Sequence, residues 1–480
     1  MHVLLINTDH WPGYLLGCGG HPLIRTPALD AMARSGVRYT RCYSTCPVCI
    51  PARRSLMTGL SPATHGDRVY SDHMPMPTAP TLAGVLAAGG YQTVAVGKLH
   101  VYPQRNRIGF HEVILSEEGR NLGVGLDDYE LWLADQGFAG QAYAHGMSNN
   151  QYYVRPWHLP EQAHPTNWAT REAVRQIRRR DPTRPLFLYV SYVHPHPPLV
   201  PLQTYLDGYR AIPDEPVIAD DWQADGVAAI DVLQRDTAGP QALYDGQDRK
   251  LAVQAFYALC THIDHQIRLL LGSLREENML DDTLILFTSD HGDMLFQHDM
   301  LGKRVFYEQA ASVPLLISGT PVNALAGRCD DRLACLEDIM PTILKRCGLA
   351  VPDSVEGLDL LGSQRRGKLF GEISEGLAAT RMATDGRYKL IYYPSGNHVQ
   401  LFDLAEDPGE HRNLADVPAY SSILRQLTDF LIANLHGGDE VFVSDGRLAG
   451  QAATQPGNRP DIQLGGQRGY RWPPPTSQPS

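Results

Sequence analysis

The sequence predicts an α/β fold with a large doubly wound domain followed by a smaller α+β domain. Apolar runs that predict buried strands lie at residues 2–9, 91–98, 186–193, 283–290 and 313–319. Their near-continuous hydrophobicity indicates burial on both faces of a sheet. Helical patterns lie between these runs at residues 26–36, 167–180 and 251–278. Strand and helix alternation of this kind is typical of a doubly wound sheet.

The first of these helices carries its own boundary signals. Thr26 is a suitable N-cap residue, Pro27 favours the first helical position, and Gly36 is a stop signal. We therefore expect a helix that begins directly after Thr26.

The composition changes twice along the chain. Within a large domain of residues 1–370, residues 103–165 are rich in Gly, Tyr, Asn and His without clear periodicity, which predicts an insertion. Residues 371–443 predict antiparallel strands with an Asp-Gly turn, followed by an amphipathic helix at 419–435. Residues 444–480 predict an extended Gly/Pro-rich tail.

Charge and composition narrow the class of protein. The 480 residues carry a formal net charge of -11, which argues against nucleic acid or an anionic membrane as partner. Eight cysteines are too few for a disulfide framework in a chain of this length. Neither a signal peptide nor a membrane span is visible, so we expect a cytoplasmic protein. The proline-rich tail raises the hypothesis of a homo-oligomer.

Polar side chains follow four of the predicted strands. In an open α/β sheet, ligands bind beyond the carboxyl ends of the strands. Those ends carry Asp9 and His10, Lys98 and His100, His194 and His196, and Asp290 and His291. Four such ends at one edge of a sheet predict a shared site.

The residue types at these ends suit a metal ion and an anion. Asp9, Asp290 and His291 would form a small metal site, with His10 as a further ligand. Oxygen-rich ligation favours Ca²⁺ or Mg²⁺, and the histidines admit Mn²⁺ or Zn²⁺. A metal beside fixed cations suits sulfate or phosphate groups. The cations and proton donors around it are Arg53, Lys98, His100, His196 and Lys303.

The candidate nucleophile is Cys49, which ends a C-x3-C-x2-C series with Cys42 and Cys46. Pro51 and the following residues indicate a helix start, where free N–H groups favour an anion and lower a thiol pKa. A plain thiolate would, however, form a stable thiosulfate-like adduct with a sulfate ester. The same spacing also matches the iron–sulfur motif of radical S-adenosylmethionine enzymes, which leaves Pro51 and Arg53 unexplained.

The chain resembles the sulfatase family of the alkaline-phosphatase-like superfamily over nearly its whole length. The segment "CIPAR" from Cys49 to Arg53, followed by "LMTG", is similar to the family signature C-x-P-[S/A]-R…TG. The segments "VGKLH", "HPHPP", "TSDHGD" and "QLFDLAEDPGEHRNLA" extend the likeness. The resemblance implies a large mixed sheet sandwiched by helices, and a formylglycine-dependent type I sulfatase.

The resemblance also implies the reaction. A formylglycine-generating enzyme would oxidise Cys49 to formylglycine, whose hydrate would attack the sulfur of a small sulfate monoester. Asp290, bound to the metal, would help to deprotonate that hydrate. His100 would remove the proton from the second hydroxyl, which expels inorganic sulfate and restores the aldehyde.

Further residues gain roles from the same resemblance. His196 and Lys303 would bind the substrate and stabilise or protonate the leaving oxygen, while Arg53 and Lys98 would hold the aldehyde hydrate and the sulfate. One divalent ion, expected to be Ca²⁺ with Mg²⁺ or Mn²⁺ as alternatives, would bind a set of four ligands. That set is Asp9, His10, Asp290 and His291.

Two positions depart from the family pattern. Many members carry Asp or Gln where this chain has His10, which leaves the identity of the metal open. Position 52 is Ala instead of the commonest Ser, a variant also found in bacterial members.

Alternatives remain open at this point. Phosphonate and phosphodiester monoesterases of the superfamily share the formylglycine but replace Lys-x-His with Tyr-x-Thr, so Lys98 and His100 favour sulfate. A non-catalytic, anion-binding member would keep Cys49 unmodified. The alcohol half of the ester is not encoded in a motif. Candidate contacts to it are Tyr102, Arg105, Tyr143, His145, Tyr152, Tyr153 and Trp157.

Overall fold

The computed structural model describes residues 1–119, 127–211, 244–452 and 472. In these ranges a large eight-stranded sheet lies between helices, and a smaller four-stranded sheet follows it in the chain. The α/β class with a small C-terminal α+β domain, predicted from the sequence, is therefore confirmed.

The strands of the large sheet are β1 His2–Asp9, β2 Val37–Tyr43, β3 Gln92–Gly97, β4 Glu112–Leu115, β5 Leu186–Pro195, β6 Thr283–Ser289, β7 Leu315–Ser318 and β8 Arg328–Cys335. The remaining strands are β9 Leu369–Ile373, β10 Thr380–Thr384, β11 Tyr388–Tyr393, β12 His398–Asp403, β13 Val443–Ser444 and β14 Arg447–Leu448.

The helices of the first half are α1 Pro27–Ser35, α2 Cys49–Thr58, α3 Pro62–His65, α4 Leu82–Ala88, α5 Asp128–Asp135 and α6 Pro165–Arg179. Those of the second half are α7 Gln203–Tyr209, α8 Gly246–Glu276, α9 Glu308–Ala311, α10 Ile339–Arg346 and α11 Ser421–Asn434.

The large sheet is mixed, with the strand order β4-β3-β5-β1-β6-β7-β2-β8. Strand β7 runs antiparallel to both its neighbours, β6 and β2. The other neighbouring pairs are parallel, including β3 with β5, β5 with β1 and β1 with β6. The four strands predicted to carry the site thus lie side by side, with their carboxyl ends at one edge.

Two hydrophobic cores, one on each face of the sheet, explain the apolar strand sequences. In β1, Leu4 and Ile6 belong to one core, while Val3 and Leu5 belong to the other. Side chains of a strand alternate between faces, so a strand covered on both sides has no polar face to show in its sequence.

Helix α1 begins where the sequence predicts, but a different residue caps it. Thr26 occupies the N-cap position and makes no capping hydrogen bond. Instead, the carboxylate of Asp264 on α8 accepts hydrogen bonds from the backbone N–H groups of Ala28 and Leu29, at 3.0 and 2.8 Å. A carboxylate can satisfy two of the free N–H groups of a helix start, so the long helix α8 supplies the cap from a distance in sequence.

The small sheet is antiparallel, in the order β12-β11-β10-β9, and it is covered on both faces. One face packs against α11 through Leu390 and Leu427. The other face packs Ile391 against Phe306, which belongs to the segment that follows β6. From this second face, Nζ of Lys389 donates a hydrogen bond to the backbone oxygen of Phe306 at 2.8 Å.

The two segments predicted to be irregular contain some regular structure. Residues 103–165 contribute β4, which pairs with β3 and extends the large sheet, and helix α5. In the predicted tail, β13 and β14 form a short hairpin. The rest of that tail beyond residue 452, except residue 472, lies outside the described residues, as do residues 120–126 of the insertion. Among the helices described, none combines the length and hydrophobicity needed to cross a membrane.

Candidate active site

Four strand ends meet at one edge of the large sheet. Asp9 is the last residue of β1, Lys98 follows β3, His194 lies at the end of β5, and Asp290 follows β6. All four side chains are buried. Gly97 allows the close approach of β3 to β5 at this edge, because a Cβ at Gly97 would lie 1.9 Å from the backbone oxygen of Ser191.

Cys49 faces this edge from the first turn of helix α2. Its Sγ lies 3.2 Å from Nε2 of His291 and 3.7 Å from Oδ1 of Asp9. Burial and Asp9 raise the pKa of the Cys49 thiol, but Lys303, Lys98 and His291 outweigh them and bring it below its ordinary value. The nearby cations thus favour negative charge at the position of the Cys49 side chain.

The two other cysteines of the series have a different environment. Burial raises the pKa of both the Cys42 and the Cys46 thiols well above the ordinary value. Sγ of Cys46 points to the backbone oxygen of Arg68, at 3.8 Å. Within the described residues, Cys49 belongs to a group of potential metal ligands, whereas Cys42 and Cys46 belong to none. The three thiols therefore do not form a common cluster site.

A buried group of four side chains offers ligand atoms to a metal ion. Potential ligand atoms of Asp9, His10, Cys49 and His291 all lie within 4.8 Å of one another. Nδ1 of His10 lies 2.6 Å from the carboxylate of Asp293, and Nδ1 of His291 lies 2.9 Å from the backbone oxygen of Gly292. An acceptor on Nδ1 orients each ring so that its Nε2 faces Asp9, at 3.7 Å for His10 and 3.6 Å for His291, as in metal-bound histidines. The donor set therefore fits a divalent cation.

Asp290 lies beside this group. Its Oδ1 is 3.7 Å from Nε2 of His291, and its Oδ2 accepts a hydrogen bond from Nε of Arg53 at 2.8 Å. Burial and the neighbouring Asp9 raise the pKa of Asp290. A cation between the two carboxylates would relieve both effects, because it stabilises their charged forms.

Arg53 connects four neighbouring strands near their carboxyl ends. Besides Asp290, its guanidinium donates hydrogen bonds to the backbone oxygen of Lys98 at 2.9 Å, to Oγ of Ser191 at 2.9 Å and to Oδ2 of Asp9 at 3.3 Å. Arg53 is buried, so these hydrogen bonds form in surroundings of low dielectric constant, which screen them little. The arginine thus fixes the relative positions of β1, β3, β5 and β6 where they end.

Three further groups supply positive charge or protons. Nζ of Lys98 forms ion pairs with the carboxylates of Asp9 and Glu118. Nζ of Lys303 lies 2.6 Å from Nε2 of His10 and 3.2 Å from Nε2 of His196. Burial lowers the pKa of His196 to about 3, with Lys303 contributing in the same direction. His196 is therefore neutral at pH 7, and Lys303 is the proton donor of the pair.

His100 is buried in the segment that follows β3, two residues after Lys98. Its Nε2 is 3.8 Å from Oδ1 of Asp72, and its ring lies 6.0 Å from the ring of Tyr70. The carboxylate of Glu117 accepts hydrogen bonds from the backbone N–H groups of Leu99 and His100, at 2.7 and 3.0 Å. Thus the backbone of the "KLH" segment is held by a side chain from the segment that follows β4.

The comparisons with known proteins agree with this geometry. A family model described as "Sulfatase" matches residues 1–349, and a second one, described as "N-sulphoglucosamine sulphohydrolase, C-terminal", matches residues 297–436. The chain belongs to the sulfatase family. An arylsulfatase of Clostridium perfringens is 34% identical over 467 residues, which cover 93% of this chain and 97% of that protein.

Two further relatives extend this comparison. The multifunctional alkaline phosphatase superfamily protein PehA of Trinickia caryophylli is 27% identical to the sulfatase chain. The alignment covers 88% of the sulfatase chain and 93% of PehA. The crystal structure of a phosphonate monoester hydrolase of Agrobacterium radiobacter superposes with a TM-score of 0.78 and 25% identity. That match covers 90% of the sulfatase chain and 95% of the hydrolase.

The sulfatase site also contains carboxylates that the sequence did not single out. Asp293 holds His10, Glu117 holds the backbone at His100, and Glu118 contacts Lys98. Asp293 lies three residues after Asp290 in the segment "TSDHGD", so its closeness to a predicted site residue could have indicated that it belongs to the site. Glu117 and Glu118 lie in an irregular segment whose contact with β3 depends on the pairing of β4, which left no signal in the sequence.

His194, a candidate from the sequence, and a further buried histidine, His298, make structural contacts. Nε2 of His298 lies 2.9 Å from the backbone oxygen of Gly409, and its ring stacks on Tyr307 at 4.3 Å. Nδ1 of His194 lies 3.2 Å from the backbone oxygen of His196, which shapes the proline-rich loop. The contact of His298 stabilises the loop that follows β6, and the contact of His194 stabilises the proline-rich loop at the end of β5.

The candidate contacts to the alcohol are spread over the insertion and the residue directly before it, Tyr102. The Tyr152 hydroxyl donates a hydrogen bond to Asp293 at 2.5 Å, which places Tyr152 directly behind His10. The ring of Tyr102 contacts that of His73 at 5.3 Å. Arg105 forms an exposed ion pair with Asp128 at 3.2 Å. The remaining four, Tyr143, His145, Tyr153 and Trp157, make ring contacts with His145, His158, Tyr244 and His164 respectively.

Proposed function

We propose that this sulfatase hydrolyses a small sulfate monoester to an alcohol and inorganic sulfate, with formylglycine derived from Cys49 as nucleophile. One observation carries the proposal: of the three thiols in the C-x3-C-x2-C series, Cys49 alone faces Asp9 and His291. A hydrated formylglycine would supply one hydroxyl for attack on sulfur and a second whose deprotonation returns the aldehyde and frees sulfate.

Maturation would require a formylglycine-generating enzyme as partner. Cys49 is 1% exposed, and every residue of α2 around it is buried. An enzyme that oxidises this thiol needs access to the extended chain, so we infer that conversion precedes the completion of folding.

A divalent cation would be held by Asp9, His10, Asp290 and His291. Bound there, it would lower the pKa of a hydroxyl at position 49 and offset the negative charge of the ester. Two carboxylates favour Ca²⁺, the proposed ion, and Mg²⁺ and Mn²⁺ are the alternatives. Metal analysis of the purified protein distinguishes these ions.

The remaining side chains act on the ester in the arrangement described. Arg53 and Lys98 orient the group at position 49 and the sulfate oxygens, since both reach Asp9 beside it. Lys303 donates a proton or a hydrogen bond to the leaving oxygen, and neutral His196 accepts from Lys303. His100 is the base for the second hydroxyl, and Glu117 holds its backbone in place.

Peptide mapping of position 49 tests the proposal. Co-expression with a formylglycine-generating enzyme should convert Cys49 to the aldehyde and produce sulfate release from an aryl sulfate. Cys49→Ala should abolish this activity. Cys42→Ala and Cys46→Ala should retain most of it, since neither thiol reaches the ligand group. Equal loss from all three variants would support the iron–sulfur alternative, and a protein with unmodified Cys49 and no sulfate release would support the anion-binding one.

A second candidate activity is phosphonate monoester hydrolysis. The likeness to the phosphonate monoester hydrolase of Agrobacterium radiobacter favours it, because that protein covers nearly the whole chain. Lys98 and His100 favour the sulfate ester. Turnover of an aryl sulfate and of an aryl phosphonate monoester, measured on one preparation, decides between them by the ratio of kcat/KM.

A further inference from the structure

Glu118 places a carboxylate inside a site otherwise suited to an anion. Its Oε1 lies 2.5 Å from Nζ of Lys98 and 3.8 Å from Nδ1 of His196. The Glu118 side chain is 4% exposed, so this charge acts in a medium of low polarity. Both contacts are residues to which the proposed function gives roles at the substrate.

The backbone around Glu118 holds this carboxylate in place. Glu118 adopts a left-handed conformation with a φ of 57°, which is uncommon for a residue other than glycine. Its backbone oxygen accepts a hydrogen bond from Nδ2 of Asn149 at 3.0 Å. The preceding backbone N–H, of Glu117, donates to Asp127 at 2.7 Å. The carboxylate is therefore a built part of the site, since both sides of its backbone are anchored.

The charge of Lys98 is shared between two carboxylates, Asp9 and Glu118. A metal ion bound by Asp9 would leave Glu118 as the direct counter-charge of the lysine. An anion that binds at Lys98 and His196 then meets a fixed negative charge beside the ammonium group that attracts it. The cost of that repulsion rises in proportion to the charge of the anion.

Sulfate and phosphate groups differ in this charge. A sulfate monoester carries one negative charge, as does a phosphonate monoester or a phosphodiester. A phosphate monoester carries about two at neutral pH, above its second pKa of about 6. The product of the proposed reaction, inorganic sulfate, also carries two. One fixed carboxylate therefore disfavours both the competing phosphate monoester and the retained product.

We propose that Glu118 sets the charge selectivity of this site: it favours monoanionic esters over dianionic ones and promotes the release of sulfate. The inference rests on the proposed function and extends it to the class of ester accepted. A metal ion adds the same charge to the site with or without Glu118, so its contribution cancels when variants with the same metal content are compared.

The test compares the metal-loaded wild type with Glu118→Gln at about pH 8, where a phosphate monoester is doubly charged because its second pKa is about 6. The probes are p-nitrophenyl sulfate and p-nitrophenyl phosphate, which share one leaving group. Loss of one charge at contact distance should raise the phosphate-to-sulfate ratio of kcat/KM about tenfold. The inhibition constant of inorganic sulfate should fall by about the same factor.

Two matched variants separate charge from structure. Glu118→Asp keeps the charge, so its phosphate-to-sulfate ratio of kcat/KM should equal that of the wild type even if kcat falls. Glu112→Gln removes an exposed carboxylate from β4 of the same segment and should leave the ratio unchanged. Equal loss of both activities in Glu118→Gln, with no change in the ratio, would mean that Glu118 only positions Lys98 and would overturn the proposal.

A binding measurement keeps the inference distinct from the proposed function. Calorimetry on the metal-loaded Cys49→Ala protein, with and without Glu118→Gln, compares inorganic sulfate with monoanionic methanesulfonate. Relief of repulsion should tighten sulfate about tenfold more than methanesulfonate. This measurement requires no turnover, so it tests the role of Glu118 even if the wild type fails to cleave a sulfate ester. Equal tightening of both anions, or none, would overturn the role of Glu118.

Discussion

Oδ2 of Asp293 lies 2.6 Å from Nδ1 of His10 and also accepts the Tyr152 hydroxyl at 2.5 Å. Asp293 is fully buried, and its carboxylate determines which nitrogen of His10 faces Asp9 and Cys49. Asp293 thus gives His10, which stands where many family members have Asp or Gln, the orientation that the proposed metal site requires.

Asp293→Asn should weaken metal binding about 10–100-fold, because an amide is a poorer acceptor for Nδ1–H and no longer orients His10. Titration of the metal-free protein with Mn²⁺ or Ca²⁺ by calorimetry measures the change. Asp299→Asn, an exposed change in the same loop, is the control and should leave the affinity as it is. Unchanged affinity in Asp293→Asn would remove His10 from the ligand set.

Arg53→Lys should lower kcat about a hundredfold, since a lysine cannot make the divergent hydrogen bonds of the guanidinium. The matched control is Arg54→Lys in the next position of α2. Arg54 is also buried, but it pairs with Asp67 at 3.1 Å, away from the strand ends. We expect Arg54→Lys to lower the thermal midpoint with little effect on kcat. Equal kinetic losses in the two variants would show a general effect on the helix.

The free energy of unfolding should depend on pH through His262. Burial lowers the pKa of His262 to about 3, with a contribution from His194. Within the described residues neither ring nitrogen of His262 has a hydrogen-bond partner, and the ring stacks on Tyr205 at 4.9 Å. In the unfolded chain His262 takes up a proton near its ordinary pKa of about 6.5.

Because the folded-state pKa is depressed, the contribution of His262 is fully present above about pH 6.5 and is lost progressively towards pH 3. At about pH 5 the loss amounts to about 2 kcal/mol. Urea unfolding at several pH values measures the slope. His262→Phe keeps the stacked ring and should flatten the slope, whereas His265→Phe, at an exposed position of the same helix, should change it less. Parallel slopes in wild type and His262→Phe would refute this assignment.

The contact between the two domains contains a buried ion network that single substitutions should disrupt. Asp439 binds Arg381 through both oxygens, at 2.6 and 2.9 Å, and also pairs with Arg68 at 2.9 Å. Asp439→Asn leaves the guanidinium of Arg381 buried without its counter-charge and should cost about 3 kcal/mol of unfolding free energy.

Chemical unfolding of Asp439→Asn measures this cost, and Glu440→Gln at the exposed neighbouring position serves as control. The same network holds Arg68, which follows α3 in the large domain, so the loss should appear in the common transition of both domains. A loss below about 1 kcal/mol, the range of exposed ion pairs, would mean that water replaces the carboxylate.

The strands that carry the site were predictable because each is buried on both faces and ends in polar residues. Segment 283–290, for example, became β6 Thr283–Ser289 with Asp290 directly after it. Strands β2 and β8 were not predicted. They lie at the far side of the sheet, and β8 at its edge exposes several charged residues, so their sequences lack a continuous apolar run.

The contacts that sequence reasoning missed, at the site and elsewhere in the fold, are made by carboxylates that act through other residues. Asp264 caps α1 from another helix, and Glu117 and Glu118 reach β3 from beyond β4. In each case the partner lies far away in sequence or across an irregular segment. Such contacts depend on tertiary packing, and periodicity and local spacing carry no information about them.

Lys389 has a consequence for attempts to build chimeric sulfatases. From the small sheet, Nζ of Lys389 contacts the backbone oxygen of Phe306 and the carboxylate of Glu308, which lie only a few positions after Lys303. It also pairs with the carboxylate of Glu410. Exchange of the C-terminal domain between relatives, intended to vary the substrate, would also replace the contacts that support the segment after Lys303. A workable junction must therefore transfer residues from about 297 onwards together, as the span of the second family model, 297–436, already does.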